Sequence, residues 1–312
     1  MNEPTPNPET RIALFQHKEI RRTIHNHEWW FVVEDVVLAL IESRDPKQYI
    51  QRMKQRDPEL GKGWVQFVHT LLVPRVGTGA DAVLRKMAQA GDTFGSAASI
   101  SFGMQLRDRS EYPHDVVESP PSKASLTKFH RECYAGKDVH RFYVTFTDRY
   151  CYFNRTAKRG GCWDEDVHNA KGKILVRQIG DYPEGGLDTR GHAVLNAAFM
   201  ILPRSRSVDS KFLLGVLNSG AIRFYWLNKF RDDRRTFPKI KGEYLKLLPL
   251  PKADSVKQAA VVGLVQEVLE AKRRNPAADT TALEREIDQQ VYALYGLTPE
   301  EIKIVEAAAT AR

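Results

Sequence analysis

Four blocks decide how this chain is read: KGKILVRQIGD (171–181), LDTRGHAVLNAAFMILP (187–203), KFLLGVLNSGAIRFYWLNKF (211–230) and FPKIKGEYLKLLPLP (237–251). Ile174, Leu175 and Val176 form a short apolar run that ends in Arg177 and Gln178, which predicts a strand. Val194 to Leu202 is a longer apolar run closed by Pro203. Phe212, Leu213, Val216, Leu217, Phe224 and Leu227 recur near the 3.6-residue period, so 211–230 reads as one long helix, more core than contact surface. A basic loop with aromatic residues follows and ends in Pro-Leu-Pro.

Downstream the pattern is helical. Asp254-Ser255 cap a helix with Val261, Leu264, Val265, Val268 and Leu269 on one face, and Asn275-Pro276 stop it. Thr281-x-x-Glu284 opens a second helix, and Thr298-Pro299-x-Glu301 reads as a capping box for a third. Upstream, Phe142, Val144 and Phe146 alternate, Asp148-Arg149 turn, and Tyr150-Cys151-Tyr152 return, which predicts a hairpin. Residues 92–125 are rich in Ser, Gly and Pro and read as loops around short strands. ADAVLRKMAQA is a short amphipathic helix after Gly77-Thr78-Gly79, the expected junction. Before it, RIALF, KEIRRTIH and EWWFVV read as strands, and EDVVLALIES and PKQYIQRMKQRD as helices. MNEPTPNPET reads as a disordered lead-in without the basic start and apolar centre of a secretory signal.

The 312 residues carry 47 Lys and Arg against 39 Asp and Glu, a net charge of +8, and a pI near 9.3. Such a surplus suits a polyanion partner, but a solvated basic surface shares the signature. No apolar run approaches the ~20 residues of a membrane span, so no membrane association is expected. Three cysteines, Cys133, Cys151 and Cys162, fit a reducing, cytoplasmic setting without a disulfide framework.

Catalytic chemistry is sought and not found. Adenine methylation needs a Gly-rich turn and an Asn/Asp-Pro-Pro-aromatic loop to hold a flipped base. The nearest string, Glu118-Ser119-Pro120-Pro121-Ser122, lacks both flanking residues. A magnesium nuclease needs an acid and an acid-x-Lys pair. Glu301-x-Lys303 with Asp288 upstream has the spacing, but Glu301 is the expected capping acid. His130, Cys133, Cys162 and His168 could be arranged around zinc, yet there is no Cys-x-x-Cys, and buried cysteines with surface histidines are the simpler reading. No catalytic residue, metal or cofactor is expected.

In this order the four blocks resemble the TaqI-type C-terminal specificity domain, the target-recognition region of fused adenine methyltransferase/restriction enzymes. The resemblance is firm from YAGKDVHRF at Tyr134 onward. It implies sequence-specific recognition of double-stranded DNA with the catalytic chemistry in another domain. A separate methyltransferase or nuclease subunit is the partner it implies. Residues from Arg11 to about Pro74 resemble the BRO N-terminal domain of phage antirepressor-like proteins, a family regarded as DNA-binding. The chain then departs from that family, so the module reads as truncated. The expected architecture is α+β, with a lead-in (1–10), a BRO-like module (11–77), a specificity domain (78–252) and a helical tail (253–312).

Basic groups grip phosphates, and Arg, Asn and Gln read base edges. The expected DNA contacts are Lys229, Arg231, Arg234, Arg235, Lys239, Lys241 and Tyr244 around the basic loop, Arg177 and Gln178 at the strand end, and Arg155, Lys158 and Arg159 before Gly160-Gly161. Asp232 and Asp233 dilute the loop's charge. Arg21, Arg22, Arg52, Lys54 and Arg56 are the N-terminal candidates. Two other functions stay open: a fragment of a methyltransferase/restriction enzyme that is inert alone, and a phage-type transcriptional regulator.

Overall fold

A computed structural model describes residues 10–15, 18–25, 28–41, 45–57, 79–230 and 238–310. Residues 1–9 of the expected lead-in, the 58–78 stretch with most of the expected junction, and Arg231, Arg234 and Arg235 lie outside these residues. The chain divides into two compact units, Met1–Asp81 and Ala82–Arg312. The architecture is α+β with a helical C-terminal tail.

The first unit is a three-stranded antiparallel meander of β1 (Thr10–Phe15), β2 (Lys18–His25) and β3 (Glu28–Phe31), followed by helices α1 (Val33–Ile41) and α2 (Pro46–Arg56). The α2 start obeys its local signal: the Asp45 carboxylate accepts from the Gln48 backbone N–H at 3.0 Å and proline occupies the first turn. Ile20, Ala39 and Ile50 are buried. Helix α1 packs against β2 and α2.

The second unit opens with α3 (Ala80–Gln89), β4 (Gly91–Thr93), α4 (Phe94–Ala97) and β5 (Ala98–Phe102). Short strands β6 (Val116–Glu118), β7 (His130–Tyr134), β8 (Phe142–Tyr143) and β9 (Arg149–Tyr152) follow, then helix α5 (Glu165–Asn169). Next come β10 (Lys173–Arg177), β11 (Gly185–Asp188), β12 (Ala193–Val194) and β13 (Ala198–Pro203). Helices α6 (Ser210–Asn218), α7 (Gly220–Lys229) and α8 (Gly242–Lys246) lead to β14 (Pro249–Pro251). The tail is α9 (Ser255–Arg274), α10 (Thr281–Leu294) and α11 (Pro299–Thr310).

Two sheets organise this unit. One has the order β5-β13-β10-β11-β8, and the other has the order β12-β7-β9-β6. Ile174, Leu175 and Val176 of the central strand β10 are fully buried, as its unbroken apolar run requires of a strand covered on both faces. Helix α6 places Phe212, Leu213, Leu214, Val216 and Leu217 in the core and packs on β10 and β11. The buried Asn218 side chain bonds both backbone groups of Gly185, at 2.8 and 2.9 Å, which fixes the helix end on β11.

Three expectations are corrected. The 142–153 hairpin does not form: β8 pairs parallel with β11 in the first sheet, whereas β9 pairs antiparallel with β6 and β7 in the second. Asp148 does turn the chain, at φ +49°, but the turn carries it from one sheet to the other. The single helix over 211–230 is two. Ser219 is extended, and its hydroxyl donates to the Val216 carbonyl at 2.7 Å and accepts from the Ile222 N–H at 3.3 Å, ending α6 and capping α7. The Val194–Leu202 run is broken at Leu195–Ala197 between β12 and β13.

In the tail, Asp254 caps α9 through the Lys257 N–H at 2.9 Å. The α10 cap falls on Thr280, one residue before the expected Thr281. The box before α11 is reciprocal, with Thr298 N–H on Glu301 at 2.8 Å and Glu301 N–H on Thr298 at 3.3 Å. Among the described residues no helix is long and apolar enough to cross a membrane.

Candidate nucleic-acid interface

The strand end at Arg177 is where the predicted residues converge. The segment after the basic loop runs antiparallel beside it: the Ile240 N–H donates to the Gln178 carbonyl at 2.8 Å and the Gly180 N–H to the Pro238 carbonyl at 3.0 Å. Ile179 and Lys239 form the bridge between them. This ladder brings Arg177, Lys239 and Lys241 to one face, with Tyr244 one helical turn on, while Gln178 stands opposite the buried Ile240. The Tyr244 ring stacks on Phe230 with centroids 4.8 Å apart, and lies edge-on to the buried Trp226. Lys241 sits 4.9 Å from the Tyr244 ring centroid and 3.8 Å from Glu243. Lys229 is in the last turn of α7, next to Phe230. The platform is therefore aromatic and basic, but the Arg177 guanidinium is bound to Glu184. That contact fits a structural role for Arg177 at least as well as a base contact.

The cluster at 155–159 is divided. Asn154 caps a short turn through the Thr156 N–H at 3.0 Å, leaving Arg155 and Lys158 exposed. They share a depression of about 390 Å³ with Asp164, Glu165 and Asp166, so three acids face these two bases. Arg159 faces a different cleft of about 650 Å³, lined also by Gln105, Arg107, Arg109 and Asn196. None of these four was expected as a DNA contact. Their sequence signal is faint: Gln105 to Arg109 sit in the aperiodic 92–125 stretch, and Asn196 interrupts an apolar run.

The cleft wall is built by backbone where the two sheets cross. The Gly103 N–H donates to the Ala198 carbonyl at 2.9 Å, Met104 to Val194 at 2.8 Å, Gln105 to Gly160 at 2.9 Å, and Arg159 to Gln105 at 3.0 Å. The Leu195 N–H donates to Tyr134 at 2.9 Å and Gln178 to Ala197 at 2.8 Å. The 195–197 break thus ties β7, β10 and the 103–105 segment together. Arg107 is held by the buried Asp115 through two bonds of 2.9 and 2.7 Å, with its guanidinium 3.8 Å from the Tyr112 ring centroid. Arg109 lies 3.7 Å from Glu118.

Buried His168 steadies the same crossing. Its Nδ1 accepts from the Val194 N–H at 3.1 Å and its Nε2 bonds the Cys162 carbonyl at 3.0 Å. Burial holds its proton affinity below the ordinary histidine value of 6.5. The unfolded chain then binds that proton at a higher pH than the folded protein. The His168 contribution to stability is whole above pH 6.5 and is lost as pH falls beneath it. His192, also lowered by burial, has the same sign, whereas burial raises Asp288 and opposes it. We expect the stability gap between wild type and His168→Gln to narrow from pH 7 to pH 5 in urea titrations. A gap independent of pH would show that His168 does not titrate with unfolding.

The other chemical candidates are engaged elsewhere. Glu301 caps α11 and accepts from Lys86 at 2.7 Å, while Asp288 accepts from the Gly220 N–H at 2.8 Å. Cys133 is in the core, and His130 bonds Thr127 and the His114 carbonyl. Among the described residues no three His, Cys, Asp or Glu side chains are grouped to hold a metal. In the first unit, Arg52 and Arg56 are exposed one turn apart on α2 and Lys54 is half-buried. The side chains of Arg21 and Arg22 lie outside the described residues.

No curated protein matches the chain. Among solved structures it resembles a chain of a type I restriction-modification complex (TM-score 0.37, 13% identity, 80% of this chain and 57% of that one). It also resembles the HsdS subunit from Thermoanaerobacter tengcongensis (0.35, 12%, 80% and 56%). A third is the S subunit of a type I system from M. genitalium (0.33, 13%, 93% and 63%). The chain spans less than two thirds of the length of each. Residues 131–250, from β7 to β14, match the TaqI-like C-terminal specificity domain; this stretch carries the 178–240 ladder, α6 and α7.

Proposed function

We propose that the chain is a non-catalytic target-recognition component of a restriction-modification system, which binds duplex DNA sequence-specifically in the cytoplasm. The observation that carries this reading is the match over 131–250, which coincides with the segment bearing the aromatic and basic platform. In this reading Lys239, Lys241 and the neighbouring Lys229 grip phosphates, and Tyr244 braces the loop that presents them. Arg159 serves the cleft. Methylation or cleavage belongs to a separate subunit that this chain directs to its site, with the tail helices as the docking element. The adenine methyltransferase setting follows from the resemblance of the four blocks. The N-terminal unit is read as a BRO-like module, with Arg52 and Arg56 as added backbone contacts.

The test is binding of the full chain to labelled duplexes across a salt series. Removing one cation from a phosphate should flatten the slope of log affinity against log salt by ~0.9. Lys239→Ala and Lys241→Ala are therefore expected to weaken binding to every duplex alike, each with a slope change of about 1. An unchanged slope in both would remove the ladder edge from the interface. A wild-type chain that binds no duplex would favour the inert-fragment alternative. Operator binding without a partner enzyme would favour the regulator.

A further inference from the structure

We propose that Gln105 and Asn196 read adenine edges in the major groove of the DNA target. This rests on the DNA-binding reading above and adds which side chains set specificity and for which base. A carboxamide offers one donor and one acceptor side by side, which matches N6 and N7 of adenine; arginine instead matches O6 and N7 of guanine.

The cleft leaves the amides available, while Arg107 and Arg109 are paired with acids. Arg107 gives two hydrogen bonds to Asp115 and stacks on Tyr112, and Arg109 is shared with Glu118. Arg159 is exposed at the mouth near Asp108, placed for a phosphate rather than a base. Gln105 and Asn196 are both exposed in the same cleft, and neither side chain has a hydrogen-bond partner among the described residues.

Their backbones are held while their side chains are not. Gln105 is fixed from both directions by Gly160 and Arg159, and Met104 bridges to Leu195 directly before Asn196. Ala197, directly after Asn196, accepts from the Gln178 N–H at 2.8 Å. The two carboxamides thus stand on segments joined to each other and to the end of β10 by main-chain hydrogen bonds. A rigid backbone under an unengaged polar side chain is what base readout needs, because little is then ordered on binding. Two acids also line the cleft, Asp108 and the exposed Glu111. Asp108 is bound to the Ser110 N–H and hydroxyl at 2.8 and 2.7 Å, so it is turned into its own loop.

The experiment selects bound duplexes from a randomised library with the full wild-type chain, Gln105→Ala, Asn196→Ala and Gln105→Glu, each checked for folding by thermal melting. The wild type is expected to select a motif containing adenines. Each alanine variant should lose discrimination at one adenine position, by on the order of ten- to a hundredfold, while affinity for non-specific duplex stays within about twofold. Gln105→Glu keeps only acceptors and should move the preference at its position from adenine to cytosine, whose N4 amine donates. That change of preference cannot arise from a misfolded variant. A wild-type motif left intact in all three variants overturns the assignment while leaving the DNA-binding reading in place. A uniform affinity loss without change of motif makes these residues backbone contacts and overturns it too. A wild-type chain that selects no motif overturns both.

Discussion

Lys173→Met is expected to destabilise the second unit by about 3–5 kcal/mol, which for a unit of this size lowers its melting temperature by roughly 6–20 °C. Lys173 and Asp188 face each other across β10 and β11, and both side chains are fully buried. The ammonium donates to Asp188, to the His168 carbonyl at 2.5 Å and to the Ala170 carbonyl at 3.1 Å. Burial pulls its proton affinity below the usual lysine range, despite the attraction of Asp188. Desolvation therefore outweighs the pairing, so the pair adds little net stability as it stands and is damaging when half of it is removed. Methionine fills the space but leaves a carboxylate with no cation in the core. Asp188 also accepts from the backbone N–H groups of Arg190, Gly191 and His192, at 2.8, 3.1 and 3.2 Å, and so shapes the turn that delivers β12 to the sheet crossing. Lys173→Met/Asp188→Asn, which keeps one acceptor for that turn and removes the charge, should be more stable than Lys173→Met alone. Calorimetry of the three proteins checks this. A loss under about 1 kcal/mol in the single variant would mean that Asp188 is not held as a buried anion.

The parts of this fold that were legible in the sequence are those fixed within a few residues. The Asp254 and Thr298–Glu301 caps are local hydrogen bonds, and each formed where its motif stands. The β10 run and the apolar positions of α6 were legible because burial on both faces leaves an unbroken apolar string. Strand partners were not. Alternation in 142–152 reports which side chains turn inward, but nothing in it names the neighbouring strand, and β8 and β9 went to different sheets. The helix break at Ser219 was signalled by Asn-Ser-Gly, yet the 3.6-residue period runs straight through it. Among the predicted DNA contacts, the ladder joined the 177–178 and 239–244 groups that the sequence separates by some sixty residues. The fold divides Arg155 and Lys158 from Arg159, which face different depressions. The cleft residues Gln105 and Asn196 were not legible at all. Their placement depends on main-chain bonds between three distant segments, and main-chain bonds leave no trace in side-chain pattern.

Gly161→Ala should be the substitution that ties this crossing most directly to recognition. Gly161 has φ +72°, and a Cβ there would lie 2.1 Å from the Gly103 carbonyl oxygen and 3.2 Å from the Gln105 nitrogen. Left-handed backbone costs a non-glycine residue about 1–2 kcal/mol, and overpacking adds about 1–3 kcal/mol, so a loss of about 2–5 kcal/mol is expected. The contact is with main chain, which no rotamer can avoid. Relief requires the 160–161 segment to move off 103–105, and that movement stretches the Gln105–Gly160 and Arg159–Gln105 bonds. Gly103 offers no room in exchange, because its own Cβ position lies 2.1 Å from the Leu195 carbonyl oxygen. The three segments are packed main chain to main chain, so strain at one reaches the others. In Gly161→Ala the cleft side chains are chemically intact but no longer held, and discrimination between duplexes should fall while the salt slope, set by the Lys239–Lys241 edge, stays at the wild-type value. Chemical denaturation gives the first quantity, and competition between matched and mismatched duplexes across a salt series gives the other two. A stable variant with unaltered discrimination would show that the crossing can relax away from the cleft, and specificity would then have to reside on the ladder edge.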